Sequence, residues 1–293
     1  MKASRLFSFL ILTFSLCGCA SPDIQSTTIP SQASSTPPPR MPTVDPNSWE
    51  LVWADEFDQP DGSVPDPQKW NYQQGGAGWG NGELQHYTNA KENAFIQDGM
   101  LLIRANKEYM MGRDYTSARL TTQFKGDWTF GRVEIRAKLP NTQGIWPAFW
   151  MLPTRARYGG GAVGGEIDIM EMVGSEPGRI YGTLHFGNPA ERSSGSFDLP
   201  NAVTFDDDFH IFAMEWESTE IRWYVDGTLF HAETEWFTTG REDARYPAPF
   251  DQDFYLLINV AVGGYWPGSP DEVSVFPQTL FVDYVRVFQH PVP

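Results

Sequence analysis

The chain has 293 residues but only two cysteines, Cys17 and Cys19, and both fall within its first 19 positions. Everything downstream must hold together without a disulfide, through the size of its core or a bound metal. Positive charge is scarce too: 21 Lys and Arg face 37 Asp and Glu, for a net charge of −16. A surface this acidic repels nucleic acid and anionic membranes, so neither is an expected partner, and it disfavours sulfated or uronic polymers as substrates. The apolar run Leu6 to Leu16 is too short to span a bilayer permanently. No stretch sustains helical amphipathic periodicity, and no internal repeat is evident.

The N-terminus carries Lys2 and Arg5 ahead of that apolar run, the pattern of an export signal. It leads into Leu16-Cys17-Gly18-Cys19, which resembles the lipobox of bacterial lipoproteins. The resemblance implies a signal peptide over 1–18 and a lipid on the Cys19 thiol. The expected location is the cell envelope, with the membrane touched only through this anchor. Cys17 is a less usual occupant of its position, so release as a free secreted protein stays open. Cleavage would take the net charge from −16 to −18. Residues 19–47 form the lipidated cysteine and a Ser, Thr, Pro and Gln tether, stiffest at Pro37-Pro38-Pro39. One folded domain is expected over 48–293.

That domain reads as β throughout. Strict alternation in Arg132-Val133-Glu134-Ile135-Arg136-Ala137-Lys138-Leu139 predicts a strand with one wet face. Asp226-Gly227, between Ile221–Val225 and Leu229-Phe230, predicts a hairpin. Phe254 to Val262 is nearly all apolar, as in a strand buried on both faces, and Phe281 to Phe288 predicts a final strand. Strands punctuated by Gly, Pro and Asn over roughly 240 residues point to a two-sheet sandwich.

The chemistry sits in Gly165-Glu166-Ile167-Asp168-Ile169-Met170-Glu171. On a strand Glu166 and Asp168 share one face and Ile167 and Ile169 the other. Unbroken alternation would turn Glu171 into the core, where an unpaired carboxylate is costly. A β-bulge near Met170 returns it to the acidic face. Retaining glycoside hydrolysis needs two carboxyl groups about 5–5.5 Å apart. Four effective strand steps of about 3.3 Å set the outer Cα atoms roughly 13 Å apart, a gap that two inclined glutamates close for the most part. Asp168 is then placed to hold the nucleophile and, with Glu166, to raise the pKa of Glu171. The spacing equally suits a solvated strand face or a cation site, although calcium sites more often use loop oxygens and no His or Cys for zinc lies nearby in sequence.

The surroundings separate these readings. Leu51–Asp58, Gly78-Trp79-Gly80-Asn81-Gly82-Glu83-Leu84-Gln85, Gly144–Leu152, the Glu166 cluster, Tyr181–Phe186, Trp223–Gly227 and Asn259–Gly264 occur in order. With these motifs the chain resembles glycoside hydrolase family 16, specifically its bacterial laminarinase-like members, from Trp49 to Phe288. The resemblance implies an all-β jelly-roll sandwich of two antiparallel sheets with a concave substrate cleft. It implies an endo-acting retaining enzyme in which Glu166 is the nucleophile, Asp168 its assistant and Glu171 the acid/base. Met170 places the chain in the bulged branch of the family, and the Trp146–Trp150 segment favours β-1,3-glucan as substrate for a monomer. Mixed-linkage glucan or agarose hydrolysis, and noncatalytic glucan binding, remain alternatives.

Further positions follow from the resemblance. Trp146 and Trp150 match sugar-stacking residues and, four apart on a strand, share a face; core packing is the other reading of each. His185 matches a histidine beside the scissile bond, placed to reach Glu171 or the sugar. Asn81 and Arg119 match polar subsite residues, Arg119 alternatively serving in a structural ion pair. No cofactor is expected for catalysis. A structural calcium ion is implied at Glu56, the Gly99 backbone carbonyl and Asp283. Of the 11 Trp, about half are expected in an aromatic core and half against sugar.

Overall fold

Strands account for almost all regular structure in the computed structural model, which describes residues 49–291. The predicted signal peptide, Cys19 and tether lie outside the described residues. One sheet runs β16 (Thr228–Glu233), β15 (Ile221–Val225), β14 (His210–Trp216), β9 (Gly131–Lys138), β18 (Gln278–Gln289), β5 (Met100–Ala105) and β4 (Ala94–Gln97). Strand β1 (Glu50–Asp55) also pairs with β18. The second sheet runs β13 (Glu191–Asp198), β12 (Arg179–Phe186), β11 (Glu166–Glu171), β10 (Ile145–Pro153), β17 (Phe254–Val262), β7 (Arg119–Thr121) and β2 (Asn71–Tyr72). Strand β8 (Asp127–Trp128) joins it along β17. A short parallel pair, β3 (Gln85–Tyr87) and β6 (Tyr115–Ser117), stands apart. This is the expected jelly-roll sandwich, antiparallel throughout its two large sheets.

Alternation along the strands builds the core. Val133, Ile135 and Ala137 of β9 and Phe212, Met214 and Trp216 of β14 face inward from one sheet. Ile145, Phe149 and Met151 of β10 meet them from the other, with Ile167 and Ile169 of β11 and Ile180 and Leu184 of β12. Every residue of β17 is buried, as its composition predicts, and the strand is central in its sheet, with β10 along one edge and β7 and β8 along the other. The hairpin forms at Asp226-Gly227, whose φ angles of 48° and 79° give the turn its right-handed match to the strands. Asp226 tolerates this conformation because its Oδ1 accepts the Ile211 backbone N–H at 2.8 Å.

One expectation fails in its detail. Strand β9 is where alternation places it, but its charged face is partly exposed only at Arg136 and Lys138: Arg132 is 3% exposed and Glu134 2%. The strand lies between β14 and β18, whose long side chains cover its outer face. Arg132 donates to Glu215 Oε1 at 2.8 Å and to Glu134 Oε2 at 3.0 Å. Tyr284 and Tyr224 hydroxyls donate to Glu134 and Glu215, each at 2.7 Å. Alternation reports which face is polar; burial depends on what neighbouring strands lay across it. Removing one partner of such a covered pair leaves an uncompensated charge, so Arg132→Met is expected to lower unfolding free energy in a urea melt by about 3 kcal/mol. Arg179→Met, at an exposed pair with Asp198, is expected to leave the midpoint unchanged.

Candidate active site

The acidic segment is β11, and its ladders carry the predicted irregularity. Against β12, Asp168 pairs with Thr183 and Glu171 with Tyr181, so Ile169 and Met170 together oppose the single Gly182. Against β10, Asp168 pairs with Trp150 and Met170 with Phe149, which leaves Ile169 as the extra residue. Both bulge residues are buried, Ile169 at 1% and Met170 at 0% exposure. Glu166 and Glu171 consequently stand opposite His185 and Tyr181, four residues apart on β12. All three carboxylates reach one cleft on the outward face of the second sheet.

The cleft has two adjoining parts. One, of about 250 Å³, is bounded by Trp79, Glu83, Arg119, Trp150 and Asn259. The other, of about 440 Å³, is bounded by Tyr181, Thr183, His185, Arg192, Ser194 and Trp266. Asn81, Trp146, Glu166 and Glu171 line both, so the acids occupy the middle of a continuous groove. Trp146 and Trp150 take the exposed side of β10 while Phe149 enters the core. The Trp146 indole donates to Glu171 Oε1 at 3.1 Å, and the Trp150 indole to Asn259 Oδ1 at 2.7 Å. Arg119 makes no carboxylate pair among the described residues. Its guanidinium lies 4.7 Å from the Trp79 ring centre and 4.5 Å from that of Trp150, and its Nε donates to Gln73. Asn81 donates to Glu83 Oε1 at 3.2 Å.

His185 turns to a different acid from the one expected. Its Nε2 lies 3.1 Å from Asp168 Oδ2, an ion-pair distance without hydrogen-bond alignment, rather than against Glu171. One ligand atom each of Glu166, Asp168 and His185 falls within 4.8 Å of the others, close enough to share a cation. At the implied calcium position both carboxylates are met by arginines. Glu56 accepts from Arg286 at 2.7 and 2.9 Å, and Asp283 from Arg136 at 2.8 Å. Each of these two carboxylates therefore already faces a cationic partner.

Trp79, Glu83, Tyr181, Thr183 and Asn259 lie in the motifs of the resemblance but carry no site role there, and Arg192, Ser194 and Trp266 lie outside those motifs. Asn259 carried a signal, as the one polar residue in the apolar β17 run. Arg192 and Ser194 lie on a polar edge strand, where nothing separates a cleft residue from a solvated one.

Electrostatics set the three acids apart. Burial raises Glu166, and the nearby His185 and Arg119 charges pull it back. Burial and then the Glu166 charge lift Asp168 well above the usual carboxylate range. Glu171 is also lifted well above it, by burial first and then by Asp168 and Glu166, with His185 and the Trp146 N–H opposing. A raised folded-state pKa gives stability that is present below the unfolded value and lost as pH rises through the folded one. Glu171→Gln is therefore expected to match the parent's Tm at about pH 4 and to exceed it by about 3 °C at about pH 8 in calorimetric scans.

Comparison with known proteins agrees with this geometry. The sequence profile described as Glycosyl hydrolases family 16 matches residues 81–279. A beta-glucanase from Rhodothermus marinus is 49% identical over 250 residues, covering 82% of this chain and 85% of the relative. A glucan endo-1,3-beta-glucosidase A1 from Niallia circulans is 43% identical over 260 residues, covering 82% of this chain and 38% of that longer protein. The crystal structure of the Rhodothermus marinus laminarinase superposes with a TM-score of 0.74 at 46% identity, covering 83% of this chain and 98% of the other. The profile match spans Glu166, Asp168 and Glu171, sequence and fold comparisons agree with it, and the chain belongs to glycosyl hydrolases family 16.

Proposed function

We propose that the chain is an endo-1,3-β-glucanase that cuts laminarin-like polymer with retention of configuration. The observation that carries this reading is the bulge that brings Glu166, Asp168 and Glu171 into one groove. Two glutamates four register steps apart, with Cα atoms roughly 13 Å from each other, suit the short carboxyl separation of a double displacement. Relatives that share the whole domain act on β-1,3-glucan by name, which supports the substrate.

The environments divide the labour. Burial raises Glu166, but His185 and Arg119 pull it back, which leaves it easier to ionise than Glu171 and suits it to act as nucleophile at the anomeric carbon. Glu171, held well above its ordinary pKa, keeps a proton for the departing glycosidic oxygen. The first displacement forms a glycosyl–Glu166 ester and expels the leaving sugar. Glu171, now ionised, takes a proton from the water that cleaves the ester. The Trp146 indole bond keeps the Glu171 carboxyl aimed along the groove. Because the groove continues to both sides of the acids, a polymer can lie through it, which supports internal cleavage.

Glu166→Gln is expected to reduce reducing-sugar release from laminarin by at least about 1,000-fold while leaving the fold and glucan binding intact. Laminarin is expected to be cut faster than lichenan, with agarose untouched. A fully active Glu166→Gln variant would overturn the nucleophile assignment. The N-terminal pattern supports export and anchoring through Cys19, and Cys19→Ser is expected to move the protein from the membrane fraction to the soluble fraction. Unchanged membrane association in that variant would rule the anchor out.

A further inference from the structure

The bulge in β11 solves the problem of side-chain direction and creates one of backbone satisfaction. Where Ile169 and Met170 oppose only Gly182, the regular ladder is interrupted. A carbonyl buried there needs a donor from elsewhere. The Asp168 carbonyl receives one from the opposite sheet: the indole Nε1–H of Trp223, on β15, donates to it at 2.8 Å. We infer that Trp223 is a positioning residue for catalysis, setting the bulge through this bond and with it the direction of Asp168 and Glu171. The inference rests on Glu166 and Glu171 being the working acids.

The surroundings of Trp223 fix its ring in place. It is fully buried and stacks with His231 at 4.7 Å between ring centres. A Cβ on Gly182 would stand 2.5 Å from Trp223 Cδ1, and a Cβ on Gly195 would stand 2.5 Å from His231 Cβ. Gly182 and Gly195 pair with each other across β12 and β13. Two facing glycines thus form a floor on which two stacked rings lie, one of them directly beneath the bulge. Filling this volume needs only an apolar ring; reaching the Asp168 carbonyl needs the indole N–H.

Trp223→Phe keeps the ring and removes the donor. Its kcat on laminarin is expected to fall about 10- to 100-fold while KM changes by less than about threefold, the signature of lost transition-state alignment. The basic limb of the kcat–pH profile is expected to move to lower pH, as Glu171 loses the buried, acid-flanked setting that holds its proton. Trp216→Phe is the control: Trp216 is equally buried and donates to the Phe250 carbonyl at 3.2 Å, away from the bulge. That variant is expected to lose a similar amount of Tm and to retain parental kcat and pH profile. Gly182→Ala keeps the N–H but displaces the ring, and the same kinetic signature is expected; it carries the test if Trp223→Phe does not fold. Parental kcat and pH limb in Trp223→Phe, or a loss no greater than that of Trp216→Phe, would overturn the role. An inactive Glu166→Gln beside an unchanged Trp223→Phe overturns only the role of Trp223, whereas an active Glu166→Gln overturns the assignment of the acids beneath it.

Discussion

A strand offers each face only every second residue, and a reaction that uses two glutamates with an aspartate between them needs all three on one face. In Glu166-Ile167-Asp168-Ile169-Met170-Glu171 the parity is wrong by one. The extra residue at Ile169 corrects it, and both apolar residues of the defect pass into the core while Glu171 comes back to the groove. The positions of Trp146 against Glu171 and of His185 against Asp168 are meaningful only in that register. So is the spacing of the outer acids, where five residue steps of β11 run against four of β12.

Gathering three carboxylates under a buried floor is unfavourable, and the molecule offsets the cost only in part. Arg119 and His185 pull Glu166 back toward its ordinary range, while Asp168 and Glu171 remain far above theirs. An arrangement tuned for stability would separate these groups or supply each with a cation. Burial first, and then the Asp168 and Glu166 charges, lift Glu171 further than Glu166, so the local loss of stability and the asymmetry between the two acids are one feature. The rest of the domain carries that load without a disulfide, through an apolar core shared by two eight-stranded sheets.

What sequence revealed and what it hid follow a physical line. Properties set within one strand or turn were legible: the Asp226-Gly227 hairpin, the doubly covered β17, the shared face of Trp146 and Trp150, and the bulge itself, forced by the cost of burying Glu171. Properties set by neighbours were not. Arg132 and Glu134 alternate like an exposed strand, yet β14 and β18 cover them. The partner of His185 depends on ring orientation across a ladder, and periodicity does not encode that. Cleft residues on the polar strand β13 carry no pattern that distinguishes them from ordinary surface.

The tryptophans show why assigning an aromatic residue either to the core or to sugar is too coarse. Of the 11 Trp, Trp70, Trp128, Trp216, Trp223 and Trp236 are buried, Trp79, Trp146, Trp150 and Trp266 line the groove, and Trp49 and Trp53 are half-buried outside it. Function does not follow that boundary. Trp79 and Trp150 lie in the groove, but each turns part of its π-surface to the Arg119 guanidinium and so helps hold a cation near Glu166. Trp223 lies wholly inside, yet its one polar atom reaches the backbone on which the acids are mounted. An indole combines a large apolar body with a single directed donor, and in a sandwich of two sheets that donor is never far from the opposite sheet. The inner face of a catalytic sheet is therefore part of its active site, because the backbone that aims the outward side chains must satisfy its irregularities inward.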